Sequence, residues 1–357
     1  MGMLDPVRRG IYGAMDAGVR WRLGQMRTGT PVPGSWAPAD PARFWAESTI
    51  GDPAAVRAGR ARRGLAGVEV RTLIAASRGP AADPGSRRLI ATAHLRPGRD
   101  DLPFVLVVHG LAAAEPHYEE WQCLLLATRG RAHAARIDLP LHLRRRPPEA
   151  GSGDGYISAD LRRTREIVRQ SVEDCAAVLG WARREVSPRV SVMGTSLGGL
   201  IACLLASRVE LASVVAIAPL CEPAETVVDR LPARARASLG VTGEGGGPWG
   251  PDRGSARRVV EAALAPITPR LLGPPATPGE RIVIVRPILD GVVGDGPMVA
   301  LAAAWGTGLW SYRHGHISVM TAPGLGRRVR RWLVSPHDQE AAPDARREGG
   351  EGVAAAG

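Results

Sequence analysis

The sequence of 357 residues contains no lysine and no asparagine, and all 46 of its basic residues are arginine. A chain without lysine cannot form a Schiff base through a lysine side chain, and it cannot bind phosphate through a Walker-A lysine. It also offers no lysine for the attachment of biotin. These absences exclude several large classes of enzyme, so any chemistry must come from other side chains.

Disulfides and membrane-spanning segments also lack support in the sequence. The cysteines, Cys123, Cys175, Cys203 and Cys221, stand alone without a CxxC pair, which predicts four reduced and mostly buried thiols. No run of about 18 apolar residues is present to span a membrane. Residues 1–26 lack the continuous apolar stretch of a signal peptide. These features predict a soluble, cytoplasmic protein without an integral membrane segment.

The formal net charge is +11, which by itself suggests nucleic acid or an anionic membrane as a partner. The arginines are scattered, however, and show no zinc-finger spacing, no basic region with heptads and no alternation with aromatic residues. The joint absence of lysine and asparagine, beside abundant alanine, glycine, arginine and proline, is typical of a GC-rich coding sequence. We therefore expect no nucleic-acid partner, and no feature of the sequence identifies a protein partner.

The sequence divides into three parts. Residues 1–62 combine a helical stretch at 7–26 with a proline-rich break at 30–41 and show no strand alternation, so we expect an N-terminal helical extension that packs on the following domain. Residues 336–357 are rich in alanine, glycine, glutamate, arginine and proline, and predict a disordered tail. The domain itself spans residues 63–335.

Within residues 63–335, short apolar runs alternate with helical segments. This alternation predicts an α/β fold with right-handed βαβ units and a doubly wound, mostly parallel, eight-stranded sheet. A continuous apolar run such as 104–108 is typical of a strand that is buried on both faces. The predicted strands are 68–75, 89–95, 104–108, 134–138, 190–193, 211–218, 281–289 and 309–313, and the main helices are 116–128, 158–184, 197–207, 298–305 and 324–334.

The strongest chemical signal is a strand that leads directly into Gly194-Thr-Ser196-Leu-Gly198, a GxSxG motif followed by an apolar helix. A serine at such a sharp strand-to-helix turn has a strained backbone, so the residues two positions away must be small, as both glycines are. The turn lifts Ser196 clear of the sheet, at the positive end of the following helix. The motif therefore indicates a nucleophilic serine.

A second signal is an apolar strand that ends in His109-Gly110-Leu111. With these two motifs the chain resembles the α/β-hydrolase superfamily over residues 65–334. The resemblance implies that the amides of Leu111 and Leu197 form the oxyanion hole, and that His109 and Gly110 belong to a substrate-binding loop. His109 has an equally good alternative role as a structural imidazole that is hydrogen-bonded within the loop.

A catalytic serine needs a base, and the base needs an acid that orients it. The resemblance implies the chain order serine, acid, histidine. Asp290, in Leu-Asp-Gly-Val-Val at the end of the seventh predicted strand, resembles the superfamily's acid. Gly294 stands where proline is common in that pattern, so Asp295, Glu222 and Glu225 remain alternatives.

The base is expected in the segment Tyr-Arg-His314-Gly-His316-Ile-Ser, which follows the last predicted strand and resembles the superfamily's catalytic-histidine loop. His316 fits best, and His314 is expected to support the loop. Taken as a His-x-His pair, the two instead suggest a metal site, but no third histidine, cysteine or carboxylate lies at close spacing. We therefore expect no metal and no cofactor.

Residues 222–280 interrupt the alternation of strands and helices. They hold helical pieces at 225–239 and 255–264, at a point where the superfamily commonly carries a cap over its pocket. A glycine- and proline-rich stretch between the pieces is equally compatible with a loose surface excursion. As a cap, the insertion would supply apolar walls and exclude water, with Leu231, Leu239, Val259, Val260, Leu264 and Ile267 as the candidate wall residues.

Two further local features remain. Leu139-Pro-Leu-His-Leu-Arg-Arg, Gly-Thr-Ser-Leu-Gly-Gly and Gly-His-Ile-Ser look similar to the branch named for α/β-hydrolase domain-containing protein 18. Arg144, Arg145 and Arg146 follow a strand at the same edge of the sheet as the site, and as bidentate donors they could bind a phosphate or carboxylate. A solvated basic loop is the alternative, which an arginine-rich chain favours.

These features lie in the expected order, each at the carboxyl end of a predicted strand, where open α/β sheets place their sites. They predict an esterase- or lipase-like serine hydrolase that cleaves a carboxylic ester or related acyl bond of a small-molecule or lipid substrate. The same triad can pass the acyl group to another acceptor as an acyltransferase. A non-catalytic hydrolase-fold module that binds a ligand is the remaining alternative.

Overall fold

One ten-stranded sheet organises the part of the chain that the computed structural model describes, residues 4–50, 55–77, 84–241, 249 and 251–335. Across the sheet the order is β1-β3-β4-β6-β5-β7-β8-β9-β10, with β2 beside β3. The pairs from β6 across to β10 are parallel, and the pairs that involve β1 to β4 are antiparallel. The strands are β1 (Arg57–Ala58), β2 (Arg62–Arg63), β3 (Glu69–Ala76), β4 (Arg88–Leu95), β5 (Phe104–Val108), β6 (His133–Asp138), β7 (Val190–Thr195), β8 (Ser213–Ile217), β9 (Ile282–Pro287) and β10 (Gly308–Tyr312). The predicted doubly wound, mostly parallel architecture is thereby confirmed.

The eight predicted strands are β3 to β10, and each begins and ends within two residues of its prediction. Strands β5, β7 and β8 are buried at every position, because helices cover a parallel sheet on both faces. The expectation that residues 1–62 contain no strand is wrong. Strands β1 and β2 pair with β3 at the edge of the sheet, and a strand of two residues is too short to show alternation.

Ten α-helices accompany the sheet within the described residues. Helix α5 is buried at every position, and α4 begins at a capping contact in which Asp160 accepts a hydrogen bond from the Arg163 amide at 3.1 Å. The helices are α1 (Leu4–Gly24), α2 (Pro41–Ala46), α3 (His117–Leu125), α4 (Leu161–Glu185), α5 (Leu197–Ala206), α6 (Pro223–Glu225), α7 (Ala233–Ser238), α8 (Arg253–Leu264), α9 (Gly296–Trp305) and α10 (Leu325–Val334).

The strand order leaves a crevice at the carboxyl end of β5. Strand β5 lies between β6 and β7, and the chain leaves β5 toward β6 but leaves β7 toward β8. Diverging connections of this kind open a space at the edge of a parallel sheet. Val108 at the end of β5 is paired with Gly194 in β7. The loop that starts at His109 therefore lies beside Ser196.

The segment that precedes the sheet shares the core of the sheet. The hydrophobic core includes Leu23 in the last turn of α1, Met26 just after this helix, and Phe44 and Trp45 of α2. The indole N–H of Trp45 donates a hydrogen bond to the Pro266 carbonyl at 2.7 Å, which joins α2 to the insertion. Within the insertion, α7 contacts α1 and α8 contacts α4.

The remaining predictions concern the cysteines, the C-terminal tail and membrane-spanning segments. The four cysteines are free and buried, as predicted, and burial raises the pKa of each thiol. The predicted disordered tail at 336–357, together with most of the glycine-rich stretch of the insertion, lies outside the described residues. No helix in the described ranges is both long and apolar enough to cross a membrane.

Candidate active site

Ser196 occupies the turn between β7 and α5. Its φ of +56° and ψ of −113° are a strained conformation for a residue other than glycine. Two hydrogen bonds to the end of β8 and the loop after it hold the turn. The Ser196 amide donates to the Ile217 carbonyl at 2.9 Å, and the Ser196 carbonyl accepts from the Leu220 amide at 3.2 Å. The serine is thereby fixed at the carboxyl end of β7, where it is partly exposed.

Gly194 and Gly198 permit this turn because their surroundings leave no room for a side chain. A Cβ atom on Gly194 would lie 2.0 Å from the Gly198 carbonyl oxygen. A Cβ atom on Gly198 would lie 2.2 Å from the Val108 carbonyl oxygen. Both distances are far below van der Waals contact, and in both cases the obstacle is main chain that cannot move aside. The GxSxG spacing is therefore a steric requirement of this turn.

A chain of hydrogen bonds joins Ser196 to side chains that follow two other strands. His316 follows β10, and its Nε2 lies 3.0 Å from Ser196 Oγ. Its Nδ1 lies 2.7 Å from Oδ2 of Asp290, which follows β9. The other carboxylate oxygen, Oδ1, accepts the amides of Val292 at 2.8 Å and Val293 at 2.9 Å. The structure thus brings together the serine, acid and histidine that the sequence predicts.

The surroundings of Asp290 favour its charged form. Burial opposes ionisation, but the His316 ring and the amides of Val292 and Val293 outweigh it and hold the pKa of the Asp290 carboxyl below its ordinary value. An ionised carboxylate accepts a hydrogen bond from Nδ1–H of His316. The Nε2 atom is then the nitrogen that can accept the proton of Ser196.

The three alternative acids are each held in an ion pair away from His316. In each pair an arginine lies within hydrogen-bonding distance of the carboxylate, so none of the three is available to orient a histidine. The pairs are Asp295 with Arg286, Glu222 with Arg270, and Glu225 with Arg230.

His314 supports the loop rather than the serine. Its ring stacks on Tyr12 of α1, with 4.7 Å between the ring centroids. The amide of Leu289, next to Asp290, donates to the His314 carbonyl at 3.1 Å. Within the described residues no group of three or more histidine, cysteine, aspartate or glutamate side chains could hold a metal ion.

His109 is a structural residue of the loop after β5. It is buried, its Nε2 accepts the Leu139 amide at 3.0 Å, and its Nδ1 lies 2.8 Å from the Gly110 carbonyl. This pattern requires a neutral ring with its hydrogen on Nδ1. His109 does not line the cavity beside Ser196, whereas Gly110 and Leu111 do. The expected substrate contact of His109 is therefore wrong, and the structural alternative holds.

A second buried histidine fixes the same loop, and the sequence gives no sign of it. His142 Nε2 accepts the Ala112 amide at 3.2 Å, and its Nδ1 lies 2.8 Å from the Pro140 carbonyl. Ala112 has a φ of +59°, so the loop is held in a conformation that non-glycine residues rarely adopt. Both histidines tie the loop after β5 to the loop after β6, which leaves Leu111 between two fixed points.

Stability is expected to fall as the pH drops, because burial lowers the pKa of His109 from 6.5 to about 4. The unfolded chain binds a proton at this histidine before the folded chain does, so the free energy of unfolding decreases through that window. The expected decrease between pH 7 and pH 4 is about 3 kcal/mol from this residue. Urea titrations across the window measure it. His109→Gln removes the titrating group and is expected to flatten the slope, and an equal slope in the variant would contradict the assignment.

A cavity of about 520 Å³ opens beside Ser196 and His316. Its walls come from α1, the loop after β5, the start of α3 and the histidine loop. Its apolar lining includes Met15, Val19, Leu23, Leu111, Ile317 and Met320. The cavity therefore suits a substrate with an apolar part.

Helix α1 lines this cavity, whereas the described part of the predicted cap does not. None of the described residues in 222–280 lines it. The expectation that the six candidate side chains of the insertion wall the cavity is wrong, because they lie in the hydrophobic core or pack against it: Leu231, Leu239, Val259, Val260, Leu264 and Ile267. The insertion instead contacts α1 through α7, so it supports the helix that covers the site.

The cavity also holds a carboxyl group that the sequence analysis missed. Glu119, near the start of α3, is only 7% exposed, and its Oε2 has no hydrogen-bond partner among the described residues. Burial raises the pKa of Glu119 above its ordinary value. The cavity wall thus contains a carboxyl that favours its neutral form more than an exposed glutamate does.

Asp16 of α1 is the second residue that the sequence analysis missed. Its Oδ2 accepts the amides of Gly291 at 2.9 Å and His316 at 3.0 Å, and its Oδ1 accepts the amide of Ile317 at 3.3 Å. These amides belong to the loops that carry Asp290 and His316. Asp16 lies in a helix without any motif, so no local signal could have found it.

The three adjacent arginines do not form an anion site. Arg145 is fully buried and donates to Asp174 Oδ2 at 2.8 Å and to the Ser86 carbonyl at 2.7 Å. Arg144 pairs with the buried Asp138 at 2.6 Å. Arg146 is exposed. The solvated-loop alternative therefore holds for Arg144 and Arg146, which are exposed, and Arg145 is a buried structural cation.

The sequence matches no known family profile and no curated protein. The fold, by contrast, matches solved structures of esterases and hydrolases. Acetyl xylan esterase 1 from Thermoanaerobacterium sp. JW/SL YS485 matches with a TM-score of 0.58 and 15% identity, over 88% of this chain and 97% of that chain. Acetyl xylan esterase from Paenibacillus sp. R4 matches with a TM-score of 0.58 and 14% identity, over 87% of this chain and 98% of that chain. An S-formylglutathione hydrolase from Agrobacterium tumefaciens matches with a TM-score of 0.51 and 14% identity, over 78% of this chain and 98% of that chain.

These matches establish the fold, which is that of the α/β-hydrolases. Identities of 14% and 15% carry nothing beyond the fold, so the substrates of those enzymes do not transfer to this chain. The narrower resemblance to the branch of α/β-hydrolase domain-containing protein 18 is not tested by these three matches and stays a prediction.

Proposed function

We propose that the protein is a serine hydrolase that cleaves a carboxylic ester, or a related acyl bond, through an acyl-enzyme. The observation that carries this proposal is the chain from Ser196 Oγ to His316 Nε2 at 3.0 Å and from His316 Nδ1 to Asp290 Oδ2 at 2.7 Å. The chain ends in the wall of a cavity of about 520 Å³. A partly exposed serine that is hydrogen-bonded in this geometry to a buried histidine and aspartate has a direct chemical use in acyl transfer.

The reaction begins when Ser196 Oγ attacks the substrate carbonyl while His316 Nε2 takes the hydroxyl proton. The imidazolium that forms is stabilised by the Asp290 carboxylate. His316 then gives the proton to the leaving alcohol, and an acyl group remains on Ser196. Water, deprotonated by His316, attacks this ester and releases the acid. As the acid departs, His316 gives the proton taken from water to Ser196 Oγ, so the alcohol carries away the original serine proton and the free enzyme is restored.

The negative oxygen of each tetrahedral intermediate needs hydrogen-bond donors. We assign this role to the amides of Leu111 and Leu197. Leu197 is the first residue of α5, and an amide in that position has no partner within its own helix. Leu111 lies on the cavity wall in the loop that His109 and His142 hold.

The apolar lining of the cavity favours an ester with a hydrocarbon acyl or alcohol part, from a small molecule or a lipid. Ester hydrolysis is also the activity in the names of the two acetyl xylan esterases with this fold. The site residues do not select water over another acceptor, so product analysis with added alcohols or amines separates a hydrolase from an acyltransferase.

A fluorophosphonate probe tests the proposal directly because it reacts with an activated serine. We expect the wild-type protein to be labelled at Ser196, and we expect Ser196→Ala and His316→Ala to remain unlabelled. Ser207→Ala is the matched control: Ser207 lies at the other end of α5, where its hydroxyl donates to the Leu204 carbonyl at 2.8 Å. The control is expected to label like wild type. A folded wild-type protein that resists the probe would instead favour a non-catalytic binding module.

A further inference from the structure

Asp16 is a buried carboxylate that accepts hydrogen bonds from main-chain amides. It is 3% exposed, and within the described residues it forms no ion pair and accepts its three hydrogen bonds from Gly291, His316 and Ile317. Burying a carboxylate without a cation is costly unless hydrogen bonds compensate. An apolar residue would anchor α1 to the domain at lower cost. The carboxylate therefore does something that an apolar anchor cannot do.

The hydrogen-bond partners of Asp16 show what its carboxylate does. Gly291 follows Asp290 directly, and the other two amides belong to His316 itself and the residue after it. On the N-terminal side of Asp290 and His316, their two loops are joined by the Leu289 amide, which donates to the His314 carbonyl at 3.1 Å. On the C-terminal side, Asp16 connects the two loops, because it accepts amides from both. The carboxylate thus closes the second side of the unit that holds the acid and the base.

The two glycines next to the catalytic residues support this reading. A Cβ atom on Gly315 would lie 2.8 Å from Asp16 Oδ2, and one on Gly291 would lie 3.3 Å from the same oxygen. Neither glycine has a positive φ, so their backbone conformation does not require glycine. The atoms that a Cβ would meet first at these positions are those of the Asp16 carboxyl group.

We infer that Asp16 is a positioning residue of the active site: from the N-terminal helix it holds the loops of Asp290 and His316 at the separation that the hydrogen-bond chain to Ser196 requires. The inference rests on the proposed hydrolase function. It also assigns a role to α1 beyond that of a wall, since docking of this helix completes the geometry of the triad.

The first experiment compares Asp16→Ala and Asp16→Asn with wild type in hydrolysis of a p-nitrophenyl ester. For Asp16→Ala we expect kcat to fall about 100-fold with KM little changed, because displaced catalytic groups slow the chemical step. Asp16→Asn keeps one acceptor oxygen for two of the amides but turns an N–H toward the third. The kcat of Asp16→Asn is expected to lie between those of Asp16→Ala and wild type.

Asp40→Ala is the matched control. Asp40 also accepts a main-chain amide in the N-terminal segment, that of Arg43 at 2.7 Å, but it touches neither catalytic loop. We expect it to cost some stability as a lost helix cap while kcat stays at the wild-type value. An equal loss of kcat in Asp40→Ala, or a kcat for Asp16→Ala equal to that of wild type, would overturn the inference.

A double-mutant cycle tests the contact itself. Gly315→Ala in the wild-type background is expected to lower kcat, because its Cβ pushes against the Asp16 carboxylate. In the Asp16→Ala background the same change is expected to add little, since the atoms that it strikes are gone. Additive losses would show that Gly315 and Asp16 act independently and would count against the inference.

Amide hydrogen exchange supplies a measurement that needs no activity. In Asp16→Ala the amides of Gly291 and His316 are expected to exchange faster than in wild type, whereas those of Val292 and Val293, held by Asp290, keep more of their protection. Unchanged exchange at Gly291 and His316 would overturn the inference. An inactive, unlabelled wild-type protein with the expected exchange pattern would instead sink the hydrolase proposal and leave the structural contact standing.

Discussion

Asp290→Asn is expected to lower kcat by about 10⁴-fold, with little effect on folding. The reason lies in the two sides of this carboxylate. Oδ1 accepts two main-chain amides, from Val292 and Val293, so the carbonyl oxygen of an asparagine takes that side. Its amide N–H then faces His316 Nδ1. The ring must accept there and carry its hydrogen on Nε2, where it can no longer take the proton of Ser196.

Steady-state kinetics on a p-nitrophenyl ester measure this loss. Asp295→Asn is the control, since Asp295 is paired with Arg286 and lies outside the hydrogen-bond chain; its kcat is expected to stay within a few-fold of wild type. A large loss in Asp295→Asn with little loss in Asp290→Asn would move the acid to the alternative position and refute the assignment.

Arg145→Met is expected to destabilise the protein by about 3–5 kcal/mol. Arg145 is fully buried, and it donates to Asp174, to the Asp138 carbonyl and to the Ser86 carbonyl. Methionine fills most of the same volume but leaves the buried carboxylate of Asp174 without its cation. Urea denaturation followed by circular dichroism measures the change in the free energy of unfolding.

Two variants sharpen this prediction. Arg146→Met changes the next residue, which is exposed and makes only a long contact of 3.4 Å to the Ala150 carbonyl, so its effect is expected within about 0.5 kcal/mol. Arg145→Met combined with Asp174→Leu removes both charges and is expected to recover much of the lost stability. A double variant as unstable as the sum of its parts would show that the pair is not the source of the loss.

The parts of this molecule that could be predicted from sequence are those with a local signal. Strand β5 is a continuous apolar run, and β7 and β8 are mostly apolar, because all three are buried on both faces. The turn at Ser196 demands glycine at two fixed positions. Asp290 directly follows one predicted strand, and His316 lies in the short loop after the last one. Where local sequence and burial are linked in this way, the pattern of residue types suffices to place a residue.

The residues that could not be predicted depend on contacts between distant segments. Asp16 is separated from its partners Gly291 and His316 by 275 and 300 positions, and nothing near it in sequence specifies a catalytic loop. Arg145 has the same local context as Arg146, but one is buried and the other is exposed. The prediction of which residues wall the cavity was wrong for the same reason. Helix periodicity shows which face of a helix is apolar but not what that face covers.

The contacts of Asp16 also bear on the order in which the site forms during synthesis. Helix α1 leaves the ribosome before any strand of the sheet, whereas the loops that it joins follow β9 and β10, the last two strands described. During translation the amides that Asp16 needs do not exist until nearly the whole domain has been made. Long-range closure of this kind is slow compared with local folding. A nascent chain therefore carries Ser196 before Asp290 and His316 are in place, and the hydrogen-bond chain of the three residues forms only with the completed fold.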